Sequence, residues 1–86
     1  MSWALDPPVR VGPVAFAAIV ETELHLKSDR SRLVGVGKKR PLLFLRAEGD
    51  TVTAIDINGH SYDADEIDLL YPDATSDLKA RLAAAA

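Results

Sequence analysis

From Val20 to Lys27 the chain alternates without a break. Val20, Thr22, Leu24 and Leu26 fall on one parity, and Glu21, Glu23, His25 and Lys27 on the other. A helix turns 100° per residue and would put Leu24 and Leu26 about 160° apart, leaving no single apolar face. A strand sorts the same residues onto two faces. The alternation therefore predicts a strand over residues 14–27, with the even positions, Phe16 included, turned to the core. Such a strand would span about 46 Å at ~3.3 Å per residue. This is long for so small a domain, so a bend or bulge is expected at Ala17-Ala18. The competing fold is α+β, with a helix over 13–27 packed on a three-stranded meander, because Gly12-Pro13 resembles a helix start and Ala, Glu and Leu favour helix.

The rest of the chain is rich in turns. Lys27-Ser28-Asp29-Arg30-Ser31 reads as a polar turn, Arg32 to Val36 as a strand and Gly37-Lys38-Lys39-Arg40-Pro41 as a basic loop. Leu42 to Ala47 and Thr51 to Ile57 read as strands around the turn Glu48-Gly49-Asp50. Asn58-Gly59 predicts a two-residue type I′ hairpin leading into His60-Ser61-Tyr62. Asp63 followed by Glu66 reads as a capping box opening a helical turn, Glu66 to Leu70, whose Ile67, Leu69 and Leu70 are expected to close one end of a barrel. A last helix, Asp77 to Ala85, starts at Thr75 or Ser76 and docks through Leu78 and Leu82.

The expected fold is mainly β: a small, strongly bent antiparallel sheet or half-open SH3-like or OB-like barrel with a short C-terminal helix. The expected divisions are an irregular arm over 1–8, a β domain over 9–72 and the helix over 73–86. Trp3 is expected to fold back from the arm onto the core.

Charge is divided along the chain. Residues 24–46 carry seven bases against one acid, and residues 47–78 carry nine acids and no base. Side-by-side packing of the two blocks explains the split as internal complementarity. Placed on separate surfaces, they would select a charged partner.

Several chemistries are discounted. With 86 residues and no cysteine, disulfide frameworks, thiolate metal sites and cysteine nucleophiles are excluded. Gly35-Val36-Gly37-Lys38-Lys39 lacks the leading glycine and the Ser or Thr of a phosphate loop. Asp56-Ile57-Asn58-Gly59-His60 has its glycine in the wrong place for a calcium loop. His25 and His60 share no zinc spacing and no poised partner. No catalytic residue, metal or cofactor is assigned. Asp29-Arg30-Ser31-Arg32-Leu33-Val34-Gly35 resembles the Asp-x-Ser-x-x-Gly element of PilZ domains. Its glycine comes one position late and the paired upstream arginines are missing, so that family's ligand chemistry is not carried over.

The sequence thus points to a non-catalytic protein-interaction module, self-associating through a sheet edge, with a protein partner or a second copy. The alternative is a binder of nucleic acid or another anion through Lys27, Arg30, Arg32, Lys38, Lys39 and Arg40. Phe16 and Phe44 are expected in the core, leaving Tyr62 and Tyr71 as the free stacking groups. No apolar run reaches the roughly 20 residues of a membrane span, and the N-terminus lacks the basic region of a secretory signal. A cytoplasmic protein without membrane contact is expected.

Overall fold

The computed structural model describes residues 2–29 and 32–84, with side chains described over 2–22 and 39–84. It is mainly β. The strands are β1 (Ser2–Leu5), β2 (Val9–Val11), β3 (Val14–Asp29), β4 (Arg32–Glu48), β5 (Thr51–Ile55) and β6 (Ser61–Tyr62), followed by α1 (Ala64–Leu70) and α2 (Ala74–Ala84). They form one bent antiparallel sheet of order β1-β3-β4-β5-β6, in which β2 shares the β3 edge with β1. The helical alternative for 13–27 is excluded, since residues 14–29 are one strand. Residues 1–8 are also not an irregular arm, because Ser2–Leu5 pairs with Ile19–Thr22.

The basic loop expected at 37–41 is strand as well. It lies inside β4, which pairs with β3 from Asp29↔Arg32 to Val14↔Glu48. Cross-strand charge explains why so polar a segment stays paired. The register sets Glu21 opposite Arg40, Glu23 opposite Lys38 and Asp29 opposite Arg32. Each of these acids has a base at the opposite register position. The polar turn expected over 27–31 is shorter than that: Lys27, Ser28 and Asp29 belong to β3 and pair with Val34, Leu33 and Arg32, while Arg30 and Ser31 lie outside the described residues.

The molecule measures 53 × 29 × 20 Å, and the longest dimension is what β3 spans at ~3.3 Å per residue. β1 and β2 reach β3 only up to Thr22, and β5 reaches β4 only from Phe44 to Glu48. Beyond those limits β3 and β4 pair only with each other among the described residues. The sheet is therefore broad at one end and a two-stranded ribbon at the other.

The ladder slips between Ile19 and Val20, where Ile19 faces Leu43 but Val20 faces Pro41. Leu42 is the extra residue. The bulge thus falls after the expected Ala17-Ala18, at the place where Pro41 lacks the N–H a regular ladder would use.

The core face is the opposite of the one expected. Ala15, Ala17 and Ile19 are buried, with Leu43, Leu45, Ala47, Val52 and Ala54 beside them, and Ile67, Ala74 and Leu78 cover them from the helices. Phe16 and Phe44 point the other way and are exposed. Alanines at four of the inner positions sit beside Ile19, Leu43, Leu45 and Val52 under the helix layer, and the two phenylalanines are left outside. Past the slip, Val20 and Glu21 are both buried, although Glu21 was expected in solvent. The faces of Glu23, Leu24, His25 and Leu26 lie outside the described side chains.

The helices follow their local signals. Asp63 accepts the Glu66 N–H at 2.8 Å while Glu66 accepts the Asp63 N–H, completing the capping box. Ile67 is buried, but Leu69 and Leu70 are exposed and close no barrel end. α2 begins at Ala74, earlier than expected. Asp68 accepts both the Thr75 N–H at 3.0 Å and its hydroxyl at 2.5 Å, so α1 caps α2. Leu78 is buried and Leu82 half-buried, as the apolar stripe requires.

The β5–β6 turn differs from the expected type I′. Among the described residues the only non-glycine with positive φ is Asp73, so Asn58 is not left-handed, whereas Gly59 is, at φ 81°. The Gly59 N–H bonds to the Asp56 carbonyl and the Asp56 N–H to the His60 carbonyl, each at 3.0 Å. This is a three-residue loop, Ile57-Asn58-Gly59, with glycine in the left-handed bulge position. The Asp56 carboxylate stabilises it by accepting N–H bonds from Asn58 and His60.

Candidate functional site

The face of the sheet away from the helices is the most distinctive surface. Register places Val9, Phe16, Arg46 and Thr53 in one row across β2, β3, β4 and β5. The next row is Ala18, Phe44, Ile55 and Ser61. Phe16 and Phe44 are diagonal neighbours, 44% and 42% exposed, and Ile55 and Val9 are 50% and 62% exposed. Single exposed apolar residues are ordinary on a protein surface, but a contiguous patch rimmed by polar groups marks a contact site.

Two open grooves border the phenylalanines. One, of about 160 Å³, is lined by Phe16, Phe44, Arg46, Thr53 and Ile55. The other, of about 300 Å³, runs from Phe16 and Phe44 to Asp6, Pro7 and Val9. The described charges bordering this face are paired: Arg46 donates to Glu48 at 2.7 Å, and Lys39 donates to Asp6 at 3.4 Å at the end of the second groove.

Of the six basic residues singled out in the sequence, Lys39 and Arg40 have described side chains, and each is paired with an acid. Arg40 donates to Glu21 at 2.6 Å and Lys39 reaches Asp6 at 3.4 Å. Arg32 and Lys38 stand opposite Asp29 and Glu23 in register, and Lys27 opposite Val34. Arg30 lies outside the described residues. The partners of Lys39 and Arg40 come from the N-terminal third of the chain and not from the acidic block after residue 47.

The tyrosines expected to be free are instead packed. Tyr71 meets Trp3 edge-on at 5.2 Å between ring centroids, which brings Trp3 onto the helix layer while leaving it partly exposed. The Tyr62 hydroxyl donates to Asp56 at 2.9 Å, and its ring meets His60 edge-on at 4.9 Å. Burial pulls the Asp56 carboxyl upward, but the N–H of His60, the Tyr62 hydroxyl and the N–H of Asn58 outweigh it and hold the group below its ordinary value. The same bond to Asp56 pushes the Tyr62 hydroxyl up. This cluster explains itself as turn architecture.

Among the described residues no three His, Asp or Glu side chains are placed to hold a metal, and no helix is long and apolar enough to cross a membrane. Comparison with protein-family models, curated proteins and solved structures finds no match. The outer face is missed in the sequence because the more apolar even positions, Phe16 among them, read as the core side, whereas the odd positions Ala15, Ala17, Ile19 and Glu21 are buried. The missed signal was the run of alanines at 15, 17, 47 and 54, too small to be a solvent face and suited to a helix contact.

Proposed function

We propose that this chain is a non-catalytic protein-interaction module that binds through the outer face of its sheet. One observation carries the reading: the sheet turns its alanines to the helices and its phenylalanines to an uncovered face. Burying a phenylalanine side chain stabilises by roughly 1.5–3 kcal/mol, and Phe16 and Phe44 realise only part of that in the isolated chain. A partner surface supplies the rest.

A second reading is favoured by the same two rings. Exposed aromatics on an antiparallel sheet are stacking platforms for single-stranded nucleic acid. Such sites add a positively charged groove to follow the backbone. The described cations bordering this face, Arg46 and Lys39, are bonded to Glu48 and Asp6, and the net charge of the chain is -3. The protein reading therefore ranks first.

The test is photo-crosslinking in the native cell, with a benzophenone amino acid replacing Phe44 and, as control, Asp65. A discrete protein adduct from position 44 and none from position 65 supports the module. A nucleic-acid adduct selects the second reading. No adduct from position 44 removes both.

A further inference from the structure

We infer that the open edge of β4 takes up an acidic, extended peptide of another chain as an added strand. This edge is separate from the outer face and does not rest on the reading given to that face.

β4 pairs with β5 only from Phe44 to Glu48, while its pairing with β3 continues out to Arg32. Among the described residues, Arg32 to Leu43 therefore pair with no strand on the side away from β3. A strand edge offers alternating N–H and carbonyl groups. A peptide strand satisfies both kinds, whereas a phosphodiester offers acceptors alone. Pro41 has no N–H and closes one end of the edge, which leaves Arg32 to Arg40 for the added ladder.

Charge selects the kind of strand. Residues 32–43 hold Arg32, Lys38, Lys39 and Arg40 and no acid. The acids that meet these bases, Asp6, Glu21, Glu23 and Asp29, stand on β3 or before β2, behind β4 as seen from the edge. Even so paired, the Lys39 and Arg40 side chains are 66% and 72% exposed. An added strand would lie ~4.8 Å from the backbone of β4 and twice that from β3. The second distance exceeds the Debye length of ~8 Å at physiological salt. Attraction to the bases of β4 therefore outweighs repulsion from the acids behind them.

The same bases turn away a second copy of this edge. Antiparallel self-pairing centred on Lys39 sets Lys38 against Arg40 and Lys39 against itself, and like charges directly opposite destabilise a sheet. The acids of this chain from Asp63 to Asp77 do not supply the strand either, since they lie in or beside α1 and α2. The sheet-edge partner expected from the sequence is thus a different chain, chosen by its acids.

The probe is a short synthetic peptide of alternating valine and glutamate. It has two relatives: one with lysine in place of glutamate, and one N-methylated throughout, which keeps the charge and loses the N–H donors. Amide hydrogen exchange of the full chain should show protection over residues 32–40 with the glutamate peptide and none with either relative. High salt should weaken that protection. Lys38→Thr with Lys39→Thr should weaken binding about tenfold, as the loss of two cross-strand charge pairs does, and Lys79→Thr on the exposed side of α2 should leave it unchanged. The exchange pattern of the wild type stands even where the double variant does not fold. Absence of protection over 32–40, equal protection by either relative, or protection confined to other strands overturns the inference. An oligonucleotide that protects the same amides as well as the glutamate peptide does also overturns it.

Discussion

Arg40 donates to Glu21 across β3 and β4 at 2.6 Å, and the two ends of this bond sit in different environments: the Glu21 side chain is 6% exposed and that of Arg40 72%. The carboxylate is covered from solvent and the guanidinium anchors it from outside. Removing the arginine leaves a buried charge unpaired, and removing both leaves none.

Arg40→Met should therefore destabilise the fold by about 1–3 kcal/mol, the range for a buried polar group stripped of its partner. Adding Glu21→Gln to Arg40→Met should recover part of the loss. Urea denaturation of the wild type, both single variants and the double variant measures the coupling. A neutral Arg40→Met would show that Glu21 finds water instead.

Reversal of charge at Lys39 and Arg40 together should also destabilise, since Asp6 and Glu21 then face like charges. The portion due to the exposed Lys39–Asp6 pair should shrink in high salt. Melting curves at two salt concentrations separate the portions. Equal losses at both would place the effect in packing instead of charge.

The Asp56 carboxyl is held below its ordinary value of 3.8 by the bonds it accepts. A depressed carboxylate stabilises the fold above the unfolded value, and that contribution disappears as pH falls through the folded one. Asp56→Asn should accordingly flatten the acid side of the stability profile. Carbon-detected NMR titration of Asp56 should give a midpoint below 3.8, and Tyr62→Phe should move it upward. An unmoved midpoint in Tyr62→Phe would deny the hydroxyl its role.

Gly49 and Gly59 both have positive φ, at 59° and 81°. A valine at either position is strained by roughly 1–2 kcal/mol, and no atom lies within 4 Å of where its Cβ would sit. A type I′ turn at Asn58-Gly59 predicts Gly59 to be the more sensitive of the two, since it demands a positive φ there. The structure makes the two valine variants comparable in melting temperature. A large gap between them would show that one loop relaxes and the other does not.

Asp68→Ala removes both bonds to Thr75 and should cost about 1–2 kcal/mol, as helix N-cap losses do. Hydrogen exchange should report the loss in the first turn of α2 more than in β3–β4. Uniform change across the chain would mean that α2 and the sheet unfold as one unit.

Much of the fold was legible because its signals were local. The period-2 pattern of Val20–Lys27, the Asp63–Glu66 box and the Leu78–Leu82 stripe each act within a few residues, and each led to the right element. The face of β3 is not legible, since alternation sorts Val20–Lys27 onto two sides without marking which side the helices cover, and the odd positions Ala15, Ala17, Ile19 and Glu21 are the buried series, with Val20 buried beside them. The basic segment was misread for a different reason. Its acids, Glu21 and Glu23, precede residue 24 and fell outside the window in which the charge was counted. Folding the sequence about residues 30 and 31 would have brought Glu21 to Arg40 and Glu23 to Lys38. The outer face depends on which side the helices choose, which no local pattern in β3 records.

The order of the sheet carries a consequence for assembly in time. β2 through β6 form successive hairpins, each closing a short loop at modest entropic cost. Two bonds are of another kind: Arg10 to the Leu82 carbonyl at 2.8 Å and Arg81 to the Leu5 carbonyl at 3.0 Å. They join opposite ends of the chain, 72 and 76 residues apart in sequence, and so close far longer loops than any hairpin. The arginines act as the closing clasp of the folding reaction, so their loss should hasten unfolding while leaving the rate of folding nearly untouched.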